Sequence, residues 1–316
     1  MPEDAHGTRR ATHDTRSRQY ISASMLILPA YAKLNLALEV VARRPDGMHD
    51  IDSIVVRIDW HDLVGVTPLP PRAGVRLVVT GSAAAGVPMD ESNLAVRAAA
   101  ALLETRSVAT GAAVWLEKRV PHAAGLGGGS ADAAAVMRAL AVLLARGDQP
   151  IPETQLLAVA RDVGSDIPAL VAGGAQRVGG RGDVVQPLDV PPLHVAVAMT
   201  SPSVTGDVYA GLLPEERAGD GRVSRLAATL LGGTLDTTLF GSALEASASR
   251  ANPDLGRLLE RARAVTPGHP WHLTGSGGAV FAIASDGAQA SSLAAAMTEA
   301  GFAARACRTI AVRGIA

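Results

Sequence analysis

At 316 residues, with 48% hydrophobic and 19% charged residues, the chain has an ordinary globular composition and is long enough for two domains. A formal net charge of −1 gives no electrostatic reason to expect nucleic acid or an anionic membrane as partner. The single cysteine, Cys307, excludes an internal disulfide, and no apolar run approaches the roughly 18 residues needed to span a membrane.

Aromatic residues make up 3%, so the cores must be built from Ala, Val and Leu, and a stacking site has few side chains to draw on. Glu3 to Ser24 is rich in Arg, Thr, Ser and His and lacks the apolar segment of a secretory signal. It reads as a disordered extension, or as a start placed upstream of a true beginning at Met25.

From Met25 the pattern is β-like. Strands are predicted over Leu26–Tyr31 and Leu34–Val41, with a turn at Pro45-Asp46-Gly47. Further strands are predicted over Ile51–Ile58, Leu63–Val66 and Val75–Thr80. Ser92 or Asn93 is placed to cap a helix through Leu94, Ala98, Leu102 and Leu103, and Ala112–Val120 reads as a strand.

The stretch Pro121-His122-Ala123-Ala124-Gly125-Leu126-Gly127-Gly128-Gly129-Ser130 then leads into a helix predicted over Ala131–Arg146. Ser130 is the expected N-cap, Val136, Met137, Leu140 and Leu144 fall at helical spacing, and Arg146-Gly147 ends the run. Four glycines allow a tight turn and bring bare N–H groups near a ligand, while a helix N-terminus suits an anion, phosphate above all. A plain strand-to-helix connection needs only one glycine or two. A P-loop requires Lys-Ser or Lys-Thr after its last glycine, and Ser130-Ala131 follows here, so that class is excluded. A dinucleotide fold requires a third glycine where Ser130 stands, and a strand where a second helix, Pro152–Val163, is predicted. What remains is a loop that holds phosphates by its backbone and takes charged groups from elsewhere.

Beyond the second helix come the turn Gly164-Ser165-Asp166-Ile167-Pro168 and short strands punctuated by Gly173-Gly174, Gly179-Gly180 and Gly182. Pro187, Pro191 and Pro192 mark the expected boundary between a domain over 25–187 and one over 193–316. The second opens with a strand, Leu193–Met199, followed by helical patterns through Leu244 and Leu259. Strands Trp271–Thr274 and Ala279–Ile283 flank Gly275-Ser276-Gly277-Gly278, and a helix, Ala288–Ala300, and a strand, Ala304–Val312, close the chain.

Phosphoryl chemistry needs cations and a base. Lys33 and Asn35 share one face of a strand, because side chains alternate with period two, although an exposed strand lysine is an equal reading. Asp166 sits where a helix cap or Asx-turn would also place an aspartate. His49 follows a turn and is read either as a ligand-facing or as a solvated histidine. Gly275 to Gly278 is either a bare hairpin or a second anion loop.

Taken together and in order, these residues resemble the GHMP kinases, the galactokinase, homoserine, mevalonate and phosphomevalonate kinase family. The motif Pro-x-x-x-Lys-x-Asn-Leu is matched at Pro29, Lys33, Asn35 and Leu36. Pro-x-x-x-Gly-Leu-Gly-Gly-Gly-Ser is matched at Pro121 and Gly125 to Ser130, and the C-terminal Gly-Ser-Gly at Gly275-Ser276-Gly277. Within the family, Arg44-Pro45-Asp46-Gly47-Met48-His49, Gly164-Ser165-Asp166-Ile167-Pro168, Gly173-Gly174 and Gly180-Arg181-Gly182-Asp183 are similar to the branch whose acceptor is a diphosphocytidyl polyol.

The resemblance implies an α+β fold of two domains. The first is a mixed β-sheet and helix domain that binds ATP, the second an α/β-sandwich of ferredoxin-like type, with the active site in the cleft between them. It implies Asp166 as general base and Lys33 as the cation that orients it. Asn35 would meet the polyol, and His49 the cytosine edge. Thr205 and Tyr209 match a Thr-x-x-x-aromatic segment whose ring covers one face of the base, and Met48 replaces a tyrosine on the other. Gly275, Ser276 and Gly277 fall on the substrate side, Asn93 beside the adenine. The backbone from Ala124 to Ser130 would hold ATP, with Mg2+ between the phosphates and Ser130 as its possible ligand. Further departures are Ala131 in place of a second serine, and Ala169 and Leu170 in place of aromatics. The implied protein is a cytoplasmic monomer or homodimer acting on a small molecule. The alternatives are another ATP-using member of the family or a nucleotide-binding relative without turnover.

Overall fold

The computed structural model describes residues 25–105, 110–145, 151–217 and 219–311. The extension 1–24 and the helix end at Arg146-Gly147 lie outside the described residues. Among the described residues, the architecture is one twisted sheet with helices packed on it, and its spine is a hairpin of two unusually long strands.

Strands β1 (Leu26–Arg43) and β2 (His49–Leu69) run antiparallel on either side of the predicted turn. Each was expected as two shorter strands. The reason lies in three register shifts, between Tyr31 and Lys33, Asn35 and Ala37, and Val40 and Ala42, which interrupt the alternation without ending the pairing. Next come β3 (Val75–Thr80), α1 (Leu94–Thr105), β4 (Gly111–Glu117), α2 (Gly128–Leu143) and α3 (Glu153–Val163). A short α4 (Ile167–Ala172), which the sequence did not reveal, precedes β5 (Ala175–Gly179) and β6 (Val184–Leu188). Six residues are too few for a helical period, and Pro168 reads as a turn residue although it sits in the first turn of α4.

The second half holds β7 (His194–Met199), α5 (Thr205–Ala210), α6 (Arg222–Leu231), β8 (Gly241–Ser242), α7 (Glu245–Ala251) and α8 (Pro253–Val265). It ends with β9 (Trp271–Thr274), β10 (Ala279–Ala284), α9 (Gly287–Glu299) and β11 (Ala303–Ile310). The path through the sheet is β3-β4-β2-β11-β7-β10-β9, so the last strand of the chain joins the two halves.

The predicted scarcity of aromatics shows in the packing. Helix α2 buries Ala131, Ala133, Ala134, Ala135, Ala139 and Ala141, and Ala95, Ala98 and Ala99 of α1 lie in the same core. Alanine faces let these helices approach closely, and a helix buried nearly all round is held by packing rather than by an amphipathic stripe. Fully buried leucines such as Leu102, Leu116 and Leu140 add about 1.5–3 kcal/mol each. This rigid platform carries the glycine loop.

Candidate active site

The helix after the loop starts earlier than expected. Its N-cap is Gly127, in the left-handed region at φ 68°, so the predicted cap Ser130 lies inside the first turn. No side chain caps this end, which leaves the first N–H groups of α2 available to an anion. Gly127 is required for a second reason: a Cβ there would come within 2.8 Å of the Lys33 Cγ. The Lys33 stem thus passes directly over the loop, and the Lys33 N–H donates to the Leu126 carbonyl at 2.9 Å.

The second glycine turn lies against the first. A Cβ on Gly125 would approach the Thr274 carbonyl oxygen to 2.6 Å, and one on Gly275 would approach the Gly125 oxygen to 2.6 Å. Close backbone approach accounts for these glycines without a second anion.

Lys33 is buried, and its Nζ stands 3.6 Å from Asp166 Oδ2, whose side chain is 44% exposed. Asp166 occupies the N-cap position of α4 yet makes no capping hydrogen bond. Its carboxylate faces the cleft instead. Lys33 Nζ also donates to Asn35 Oδ1 at 2.7 Å, as the shared strand face predicts. Asn35 Oδ1 accepts a second bond from the Gly275 N–H at 3.0 Å, and its amide donates to Ser53 Oγ at 2.8 Å. An asparagine amide carries two N–H donors, so one remains for a ligand. Asn35 therefore ties Lys33 to the second glycine turn as well as lining the cleft.

A cleft of about 570 Å³ connects these groups. At its far end the His49 ring lies 5.1 Å from the Tyr209 ring at 31°, and His49 Nε2 is buried without a partner. Burial, then the charges of Arg217 and Arg43, lower the His49 pKa, which favours a neutral imidazole. Burial, then the Asp166 charge, raise the Tyr209 pKa and keep the phenol protonated. Met48 lines the same end and is half-exposed. The Thr205 and Ser276 hydroxyls lie 2.7 Å apart across the wall.

Of the predicted residues, Lys33, Asn35, Met48, His49, Gly125, Gly127, Ser130, Asp166, Thr205, Tyr209, Gly275 and Ser276 line this one cleft. Pro121, Ala124, Leu126, Gly128, Gly129, Asn93 and Gly277 are not among its lining residues. Asn93 has a capping role: Oδ1 accepts from the Ala95 N–H at 2.9 Å, and Nδ2 donates to the Pro88 carbonyl at 2.7 Å. Arg43, Arg181 and Arg217, which the sequence does not single out as site residues, give the cleft a cationic side. Arg181 lies within the Gly180-Arg181-Gly182-Asp183 segment, whereas nothing local marks Arg217.

One further cluster lies behind the loop. Lys118 is buried and pairs with Asp62, from β2, and with Asp132 Oδ2 at 2.5 Å, from the first turns of α2. Asp62 Oδ1 also accepts from the Val120 N–H at 2.8 Å. Burial works against the Lys118 charge, but Asp132 and Asp62 outweigh it and raise its pKa.

A backbone anion cradle beside a lysine–carboxylate pair can hold a phosphate and take a proton from a nearby hydroxyl. The description "GHMP kinases N terminal domain" matches residues 93–174, and "GHMP kinases C terminal" matches residues 225–303. The chain is 37% identical over 276 residues to the 4-diphosphocytidyl-2-C-methyl-D-erythritol kinase of Deinococcus radiodurans, covering 85% of this chain and 88% of the relative. It is also 37% identical over 274 residues to the kinase of the same name from Xanthobacter autotrophicus, covering 84% and 92%. A crystal structure of 4-(cytidine 5'-diphospho)-2C-methyl-D-erythritol kinase superposes with a TM-score of 0.71 at 32% identity, covering 90% of this chain and 99% of that one. The L. major mevalonate kinase in complex with R-mevalonate superposes with a TM-score of 0.65 at 17% identity, covering 93% of this chain and 98% of that one, a likeness of fold alone.

Proposed function

The chain belongs to the GHMP kinase family, and from that premise we propose that it transfers the terminal phosphoryl group of ATP to a hydroxyl of 4-diphosphocytidyl-2-C-methyl-D-erythritol. The products are the 2-phosphate and ADP, and the reaction is a step toward isoprenoid precursors outside the mevalonate route. The observation that carries this reading is the approach of Lys33 and Asp166 to 3.6 Å at the mouth of the glycine loop. The acceptor is supported by the names of the relatives and by the His49–Tyr209 ring pair at the far end of the cleft.

In this mechanism the N–H groups of the loop and of the α2 N-terminus hold the ATP phosphates. Asp166 accepts the proton of the acceptor hydroxyl, and Lys33 holds that carboxylate in place and offsets charge on the moving phosphoryl. In-line transfer then asks for positioning and electrostatics rather than a covalent intermediate. The neutral His49 imidazole reads the edge of the cytosine, with Tyr209 against one face. Arg43, Arg181 and Arg217 favour the diphosphate.

Magnesium belongs to the same proposal. It takes one or two protein oxygens and completes its shell from phosphates and water. The Ser130 hydroxyl and the Asp166 carboxylate form an all-oxygen set on the cleft wall that fits this pattern. Ser130 would hold the ion, which when bound neutralises charge on the phosphates. We also assign 25–187 to the ATP-binding domain and 193–316 to the C-terminal domain. A cytoplasmic location accords with Cys307, a buried free thiol whose pKa burial pushes up to about 12.

The test is a coupled ADP-release assay with 4-diphosphocytidyl-2-C-methyl-D-erythritol, mevalonate, phosphomevalonate and homoserine as acceptors. ADP release is expected with the first alone. Faster release with any of the others would overturn the acceptor assignment.

A further inference from the structure

The glycine loop is clasped from behind, and the clasp has a polarity. Asp62 Oδ1 binds the backbone just before the loop, through the Val120 N–H at 2.8 Å. Asp132, two residues past Ser130, lies at the loop's downstream side on α2. Lys118 joins the two carboxylates, so a single ammonium ties both sides of the loop together. It also sits directly behind the backbone: an ideal Cβ on Gly128 would be 3.6 Å from Lys118 Nζ and 3.2 Å from Val120 Cγ1.

The cluster is not a balanced pair. Two carboxyl groups face one cation, and Asp132 Oδ1 is buried with no hydrogen-bond partner, its side chain only 3% exposed; burial raises the Asp132 pKa against the pull of Lys118, so its negative charge is complete only on the alkaline side of neutrality. A buried acceptor without a partner is costly, and packing alone would be served better by an apolar side chain. Its position behind a loop that receives an anion points to an electrostatic use.

We propose that Lys118 and Asp132 are positioning residues for the nucleotide, with opposite effects. Lys118 holds the loop in its phosphate-binding shape and projects positive charge through Gly128. Asp132 completes the clasp while offsetting part of that charge, which moderates how tightly a nucleotide is held. This inference rests on the reading that the loop binds the phosphates of ATP.

The experiment measures equilibrium affinity for ADP and for adenosine by calorimetry on the full chain, in wild type, Lys118→Met and Asp132→Asn, in alkaline buffer where Asp132 is ionised. Wild type should bind ADP more tightly than adenosine, and equal affinities would reject the phosphate reading itself rather than the clasp. Given that preference, Lys118→Met should weaken ADP binding about tenfold, and Asp132→Asn should tighten it about threefold, with adenosine unchanged in both. Asparagine keeps the volume and a hydrogen-bond acceptor for Lys118, so Asp132→Asn decides the matter even where Lys118→Met does not fold. A merely structural cluster would lower the melting temperature of either variant without separating ADP from adenosine. Unchanged or weaker ADP binding in Asp132→Asn would overturn the proposal.

Discussion

Two lysine–aspartate clusters stand on either side of the glycine loop, and they are built differently. Lys33 and Asp166 are 3.6 Å apart, and nearly half of the Asp166 side chain is open to the cleft. Lys118 and Asp132 are 2.5 Å apart, and both are sealed from solvent. The open pair leaves its carboxylate free to exchange a proton with a ligand. In the sealed cluster Asp62 binds both Lys118 and the backbone, Asp132 binds Lys118 through Oδ2 alone, and the side chains of all three are closed to solvent, so the cluster holds rather than exchanges a proton. Residue type alone does not separate chemistry from architecture here; exposure and spacing do.

Substitutions on each side of the loop should separate the two clusters. In the open pair, Asp166→Asn should lower kcat about 10³-fold and leave stability within about 0.5 kcal/mol, measured by steady-state kinetics and denaturant unfolding. In the sealed cluster, Asp62→Ala leaves Lys118 with Asp132 alone and orphans the Arg119 and Val120 N–H groups, so unfolding free energy should fall by about 3 kcal/mol.

A half-buried histidine away from both clusters shows what burial does beside a like charge. His272 lies between Phe240 and Phe281, and burial, then the Arg222 charge, lower its pKa from 6.5 to about 4. The unfolded chain therefore binds the proton first as pH falls. Stability is complete above about pH 6.5 and should drop by roughly 3 kcal/mol by pH 4, and His272→Phe should flatten this slope in pH-dependent unfolding.

Gly127→Ala asks whether the open pair needs its loop. The left-handed backbone and the Lys33 stem both oppose a methyl group, so a loss of about 1–2 kcal/mol in stability and a raised KM for ATP are expected. The smallest effect concerns the acceptor end. Met48→Tyr offers the cytosine a second ring and should lower the acceptor KM by a factor equivalent to about 1 kcal/mol, with the KM for ATP unchanged.

Much of this was legible in the sequence because the cues were local. The glycine loop, the turn at Gly47, β3, β9 and the helix capped by Asn93 follow from turn chemistry and period. Lys33 and Asn35 were placed on one face by alternation, and their side chains meet. The resemblance of ordered motifs brought Asp166 to the same site from more than a hundred residues away.

What was not legible depended on contacts remote in sequence or on irregular backbone. The register shifts around Lys33 and Asn35 made one strand look like two. Gly127 moved the helix start ahead of Ser130, because a glycine with φ of 68° ends the loop where an L side chain would have prolonged it. The Lys118 cluster joins residues 56 and 14 positions away, with no spacing rule to reveal it. Arg217 reaches the cleft from a loop without a motif.

Phosphorylation of a diphosphocytidyl acceptor in this cleft, with Asp166 as base, can be followed by phosphorus NMR of the full chain with ATP and 4-diphosphocytidyl-2-C-methyl-D-erythritol. A new phosphomonoester resonance matched by an equal amount of ADP is expected, and almost none over the same period with Asp166→Asn. An unchanged yield in that variant, or ATP consumption that leaves the acceptor unmodified, would contradict it.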